Sequence, residues 1–268
     1  MDAADQKELV RARYGNIAAT AGAPEHGAAA ASCCGPSPAA SPLDEKLRRM
    51  GYSEAELAAV PEGANLGLGC GNPQAIAAMQ PGETIVDLGS GAGFDCFLAA
   101  RQVGAGGRVI GVDMTHEMLK KARDNAARLG AANVEFRLGE IEHLPIGDNT
   151  ADVVISNCVI NLVPDKAQVY REAFRVLKPG GRLAVSDVVN TAPLPAGLQG
   201  DASLLCGCIA GAASVERVEA WLAEAGFVDV RVEVKPESRA LIATWAPGRG
   251  IEDCVLSAAV EARKPVAR

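Results

Sequence analysis

Apolar residues fall along this chain in short β-branched bursts separated by longer stretches of helical periodicity, the pattern of parallel strands joined by crossover helices. Ile85-Val86-Asp87-Leu88 is the first burst, and Phe94 onward takes up helical spacing; Arg108 to Asp113 reads as a second strand and 116–129 as its helix. Val134 to Leu138, Asp152 to Ser156 and Arg182 to Val189 continue the series, with a helix opening at Pro164-Asp165 and stopping at Lys178-Pro179-Gly180-Gly181. A helix at 215–225 and strands at 227–234 and 253–263 close the predicted sheet, which leaves 190–214 as an insertion above its ligand edge. Ahead of the first strand, 2–20 reads as an amphipathic helix, 43–50 and 53–60 as short helices, and 21–42, rich in Ala, Gly, Ser and Pro, as a flexible linker. The expected fold is α/β: a Rossmann-like, mostly parallel seven-stranded sheet over 61–268, behind an N-terminal helical and linker segment, 1–60.

The turn after the first strand decides the cofactor class. Asp87-Leu88-Gly89-Ser90-Gly91-Ala92-Gly93 breaks the strand with alternate glycines, which let backbone approach a ligand without Cβ clashes. A dinucleotide fingerprint would place glycine where Phe94 stands, so the loop suits S-adenosylmethionine better than NAD. Asp113, at the end of the second strand and about twenty residues beyond Gly93, is positioned to take ribose hydroxyls, with Met114 beside it. After the third strand, Glu140-Ile141-Glu142 offers an apolar side chain to pack on adenine and a carboxylate to accept from its exocyclic amine. Asp87, Gly89, Ser90, Gly91 and Gly93 with Asp113, Met114, Glu140, Ile141, Glu142 and Asn157 form the candidate cofactor set of a class I S-adenosylmethionine-dependent methyltransferase domain.

With 268 residues, 49% hydrophobic and 22% charged, the chain can bury a full core. A net charge of −7 without a basic, aromatic-interleaved stripe argues against nucleic acid as the partner. The amino terminus carries no basic segment leading into an apolar stretch, and no apolar run is long enough to span a bilayer, so a cytoplasmic monomer without membrane attachment is expected. In that compartment eight cysteines read as thiols for metal binding or redox work rather than as a disulfide framework.

Cys158 lies two residues beyond Ser156, on the edge where open α/β sheets bind ligands; Cys70 lies in the glycine-rich loop before the first strand, and Cys206 and Cys208 lie in the insertion. Three segments can therefore deliver thiols to one mouth. Cys96 and Cys254, inside a predicted helix and strand, read as small core residues. Zinc is the rival ligand, but paired CxxC spacing is missing and the chain has only three histidines.

At these residues the chain resembles the arsenite S-adenosylmethionine methyltransferases. The likeness is carried by Asn65 to Gly71 (NLGLGCG), Asp87 to Cys96, Ser156 to Lys166 (SNCVINLVPDK) and Cys208 to Ala212 (CIAGA), and it covers roughly 60–265; the Cys33-Cys34-Gly35 segment is typical of bacterial members. The resemblance implies that Cys70, Cys158 and Cys208 bind arsenic(III) and that Cys33 and Cys34 are a mobile redox pair. It further implies that the arsenic lone pair attacks the cofactor's methyl carbon, with thioredoxin or glutathione resetting the thiols. Two departures stand out. Longer members carry a further carboxyl-terminal region beyond the point where this chain stops, and here Cys206-Gly207-Cys208 places a second candidate ligand beside the last thiol. A methyltransferase acting on a small organic acceptor, and a thiol-based metalloid-binding protein on the same fold, remain the alternatives.

Overall fold

The computed structural model describes residues 1–20, 42–195 and 197–266. Eight strands form one sheet: β1 (Thr84–Leu88), β2 (Arg108–Asp113), β3 (Val134–Leu138), β4 (Ala151–Asn157), β5 (Leu177–Asn190), β6 (Ala213–Ser214), β7 (Val228–Lys235) and β8 (Val255–Arg263). Their order is β3-β2-β1-β4-β5-β8-β7, with the two-residue β6 added beside β5. All pairs are parallel except those made by β8, which runs antiparallel to β5 and β7. This is the expected seven-stranded, Rossmann-like sheet plus one short strand that the alternation was too brief to reveal.

The helices are α1 (Ala3–Thr20), α2 (Pro42–Arg49), α3 (Glu54–Leu57), α4 (Gln74–Ala77), α5 (Phe94–Val103), α6 (His116–Leu129), α7 (Lys166–Val176), α8 (Ala202–Cys206), α9 (Val215–Ala225) and α10 (Arg239–Ile242). Two sequence readings change. The expected 53–60 helix is a single turn that stops at Leu57, and Val60, which precedes Pro61, is steered away from helical backbone. Strand β5 begins at Leu177 rather than Arg182, since Leu177 pairs with Ala151 and the Gly180 N–H donates to the Lys264 carbonyl.

Strand alternation divides the core. Val86, Leu88, Ile110, Val112, Val154 and Val185 face α7 and α9, whereas Ile85, Val109, Val153, Ile155 and Ala184 face α5 and α6. A third apolar cluster sits beyond the carboxyl ends of the strands, where Val10 of α1, Leu204 of α8, Ile242 of α10 and Ile251 pack around four cysteines, Cys70, Cys158, Cys206 and Cys208. Among the described residues, no helix is long and apolar enough to cross a membrane.

Candidate functional site

The strand order reverses between β1 and β4, and open sheets bind ligands at such a switch point. Leu88 pairs with Ser156, so the loop opening at Gly89 and the turn holding Cys158 leave the sheet side by side. A cavity of about 790 Å³ opens there. That volume is within the range of small-molecule and cofactor sites.

One half of the cavity has the chemistry of a nucleoside pocket. Gly89 takes φ +71, and a Cβ there would lie 2.6 Å from the Val159 side chain, so the turn admits no larger residue without a shift. Asp113 receives the Gly91 N–H at 2.9 Å and the Thr115 N–H at 2.8 Å. Two N–H donors fix the carboxylate and leave lone pairs for two hydroxyls. Burial pushes Asp113 up while these donors hold it down. Asp87, Gly89, Ser90, Gly91, Asp113, Met114, Ile141, Glu142 and Asn157 line the cavity; the Ser90 hydroxyl is buried without a hydrogen-bond partner. An oriented carboxylate, a second one at Glu142 and the apolar wall of Ile141 and Met114 fit the sugar and base of S-adenosylmethionine. Two residues of the predicted set stand elsewhere. A Cβ at Gly93 would meet the Phe97 and Phe136 rings rather than the cavity, and Glu140 turns to Lys7 at 2.5 Å and Arg11 at 3.4 Å.

The other half is lined by thiols. The Cys158 N–H donates to the Ser186 carbonyl at 2.8 Å, which anchors the turn after β4 on β5. Cys70 is held at both backbone groups: its N–H donates to Asn157 Oδ1 at 3.1 Å, and its carbonyl accepts from Ser257 Oγ at 2.8 Å. Cys208 arrives with the insertion, and its Sγ donates to the Cys158 carbonyl at 2.8 Å. The ligand atoms of Cys70, Cys158 and Asp187 lie within 4.8 Å of one another; Cys208 adjoins Cys158 without joining that trio. Cys158 and Cys208 both hold left-handed backbone, φ 58 and φ 65. That conformation costs a residue bearing a Cβ about 1–2 kcal/mol and is retained where position matters more than local stability.

The electrostatics concentrate one negative charge. Hydrogen bonds from Cys208 and Cys70, with the nearby Lys46 ammonium and Asp187, outweigh burial and hold the Cys158 thiol well below its ordinary range. Burial and proximity to Cys158 push Cys70 up; hydrogen bonding to Cys158 and burial do the same for Cys208. Of the three, Cys158 is the thiol that loses its proton most readily. Burial also raises Asp187, while N–H donors from Ile160, Asn161 and Val188 pin its carboxylate beneath the turn. Cys206 lines the cavity as well, its carbonyl accepting from the Tyr14 hydroxyl at 3.1 Å. Cys96 is buried and its Sγ donates to Asp87 Oδ2 at 3.2 Å; Cys254 packs in the apolar cluster just ahead of β8. Cys33 and Cys34 lie outside the described residues.

Several residues in or beside the cavity escaped the sequence reading. Asp187 carried a signal, a lone acid between Val185 and Val188 in an apolar strand. Lys46, Tyr52, Asp95 and Trp245 carried none. The Tyr52 hydroxyl donates to Asp95 at 2.7 Å, and Asn157 Nδ2 donates to Tyr52 at 3.1 Å, to Asp95 at 3.3 Å and to the Gly71 carbonyl at 2.9 Å. This network joins the first turn of α5 to the Cys70 loop. The Trp245 ring lines the cavity from the segment between β7 and β8, with the Lys46 ammonium 5.9 Å from its centroid.

Residues 79–226 match the family model described as "Methyltransferase domain". The chain is 52% identical over 270 residues to the arsenite methyltransferase of Halobacterium salinarum, covering 98% of this chain and 68% of that protein. It is 46% identical over 178 residues to the arsenite methyltransferase of Aquipseudomonas alcaligenes, covering 63% of this chain and 51% of that one. The crystal structure of an arsenic(III) S-adenosylmethionine methyltransferase from Chlamydomonas reinhardtii superposes with a TM-score of 0.60 at 33% identity, covering 85% of this chain and 74% of that one. The chain thus spans between half and about two thirds of the curated relatives' length.

Proposed function

Since the chain belongs to the arsenite methyltransferase family of S-adenosylmethionine-dependent enzymes, we propose that it transfers methyl groups to trivalent arsenic, as arsenite or methylarsenite, held by Cys70, Cys158 and Cys208. The observation that carries this reading is a single cavity lined by Asp113 at one end and by Cys158, Cys206 and Cys208 at the other, with the Cys70 sulfur buried beside that of Cys158. Asp113, Glu142, Ile141 and Met114 would hold the nucleoside. When bound, S-adenosylmethionine supplies an electrophilic methyl carbon, and S-adenosylhomocysteine is the product.

Soft thiolates are the natural partners of a soft centre such as arsenic(III), which disfavours the hard carboxylate of Asp187 as its main ligand. Cys158, the thiol that ionises most readily, is the entry ligand, and the arsenic hydroxide it displaces takes a proton from solvent and leaves as water. Cys70 and Cys208 follow, each thiol proton leaving with an arsenic hydroxide as water. The chain's further contribution is to orient acceptor and cofactor and exclude water, which can lower a barrier by about 7–11 kcal/mol. Transfer raises arsenic to the pentavalent state, and closing a disulfide between site thiols returns the two electrons. Cys33 and Cys34 then exchange with that disulfide, and thioredoxin or glutathione takes up the oxidation. Such thiols need a reducing compartment, for which the cytoplasm is proposed.

The test is incubation with arsenite, S-adenosylmethionine and a thiol, followed by arsenic speciation. Methylated arsenicals that disappear with Cys158→Ser are expected. Arsenite retention without cofactor turnover would instead identify a binding protein, and methylation that persists without the thiols an organic acceptor.

A further inference from the structure

Helix α1 reaches both halves of the cavity. At the nucleoside end, Lys7 Nζ lies 3.0 Å from Glu142 Oε1 and 2.5 Å from Glu140 Oε2, and Gln6 Nε2 donates to the Leu162 carbonyl at 2.9 Å. One turn further on, Val10 is buried among Cys70, Cys158, Cys206 and Cys208, and a turn beyond it the Tyr14 ring packs on the same cluster with its hydroxyl on the Cys206 carbonyl. The helix has no broad apolar face: of its 18 residues only Val10, Gly15 and Ala18 are buried. A helix held by one narrow apolar row, Val10, Tyr14, Ile17 and Ala18, and a few polar anchors has few contacts to break when it opens locally.

Glu142 is the telling residue, because it lines the cavity and is also the carboxylate that Lys7 grips. We propose that α1 is a lid shared by the two ligands, with Lys7 as its latch beside the cofactor and Tyr14 as its contact above the thiols, so that each ligand strengthens binding of the other. The identity of the two ligands rests on the reading given under Proposed function. Lys7 and Tyr14 act as positioning residues: they close the helix over the cavity and bring the two ends into one enclosed volume. By linkage, the factor by which arsenite tightens the cofactor must equal the factor by which the cofactor tightens arsenite.

Two measurements on the full chain test this. Calorimetry gives the S-adenosylhomocysteine affinity with and without arsenite in the wild type, Lys7→Met, Lys7→Arg and Tyr14→Phe. Amide hydrogen exchange follows residues 3–20 with S-adenosylhomocysteine alone. Arsenite is expected to tighten S-adenosylhomocysteine about tenfold in the wild type. Lys7→Met should bring that ratio close to one, Tyr14→Phe should lower it partway, and Lys7→Arg should restore it. S-adenosylhomocysteine should slow exchange along α1 in the wild type and not in Lys7→Met. An unchanged ratio in Lys7→Met, or no slowing in the wild type, overturns the lid. If both ligands bind without linkage, the lid fails and the metalloid reading stands. If arsenite does not bind but S-adenosylhomocysteine still protects α1, the metalloid reading and the shared lid both fail, and α1 closes over the cofactor alone.

Discussion

In the nucleoside half of the cavity each group stands within a few residues of a strand's end, Gly89 after β1, Asp113 closing β2 and Ile141 after β3, so pairing the strands delivers the groups. In the thiol half, Cys70 meets Asn157 across 87 positions of sequence and Cys208 meets Cys158 across 50. Their placement depends on contacts made by the insertion, by β8 and by α1. The first half inherits its geometry from the fold, while the second must be assembled by long-range packing. Substitutions should therefore act on one ligand at a time in the nucleoside half, whereas in the thiol half a backbone change far from any sulfur should also count.

The largest effect is expected from the thiols themselves. Serine preserves shape but offers a hard, protonated oxygen, so Cys158→Ser and Cys208→Ser should each lower methylation of arsenite and methylarsenite by about a thousandfold or more. Cys70→Ser should be milder on methylarsenite, one of whose coordination positions is already carbon. S-adenosylmethionine affinity, measured on the same folded variants, should be unchanged; robust arsenite methylation by Cys158→Ser would sink the assignment.

Next comes Asp113→Ala, which removes charge-assisted hydrogen bonds worth about 1.5–3 kcal/mol and should weaken S-adenosylmethionine roughly ten- to a hundredfold. Arsenite affinity should hold, and a joint loss of both would erase the distinction between the halves. Gly211→Ala sharpens it from the other side. A Cβ at that position would lie 2.1 Å from the Asn161 carbonyl oxygen, so the insertion has to move and take Cys208 with it. Arsenite binding should fall about tenfold, the size of an ordinary packing fault, with cofactor binding retained in calorimetry.

The smallest effect is a difference in rate among the thiols. Cys158 is depressed and its two neighbours are raised, so as pH rises Cys158 ionises ahead of Cys70 and Cys208. Alkylation mapped by mass spectrometry at neutral pH should modify Cys158 first, because the thiolate is the nucleophile. Labelling that rises only in alkaline solution would show that the charge is not held there.

What could be read from the sequence follows the same division. The strands, their order of appearance and the glycine turn were legible because their signals are local: β-branched bursts, a turn at Gly89 to Gly93, an acid at the end of β2. Helix α6 and strand β3 stand at the expected bounds. Cys158 was singled out at a strand's end, and Cys70 and Cys208 by their loops and the family resemblance, but their mutual geometry was not legible. Lys46 reaches the thiols from a short helix whose pattern says only that one side of it is polar. Tyr14 belongs to a helix expected to dock by an apolar face, and besides Val10 and Ala18 it docks through Lys7, Gln6 and its own hydroxyl. Such polar anchors depend on partners more than a hundred residues away, and no periodicity records them.

The side-chain amide of Asn157 has a consequence for tolerance. It touches the backbone on both sides of the Cys70–Gly71 bond, the Tyr52 hydroxyl and the Asp95 carboxylate, and it immediately precedes Cys158. Errors in the length or bend of β1, α4 and β4 would accumulate if the spacing between the two reactants were measured along the chain. Because both loops are gauged against the same planar group, that spacing is set over one side chain's breadth. Surrounding loops can then drift in sequence and length while the working gap between the two ends of the cavity stays fixed.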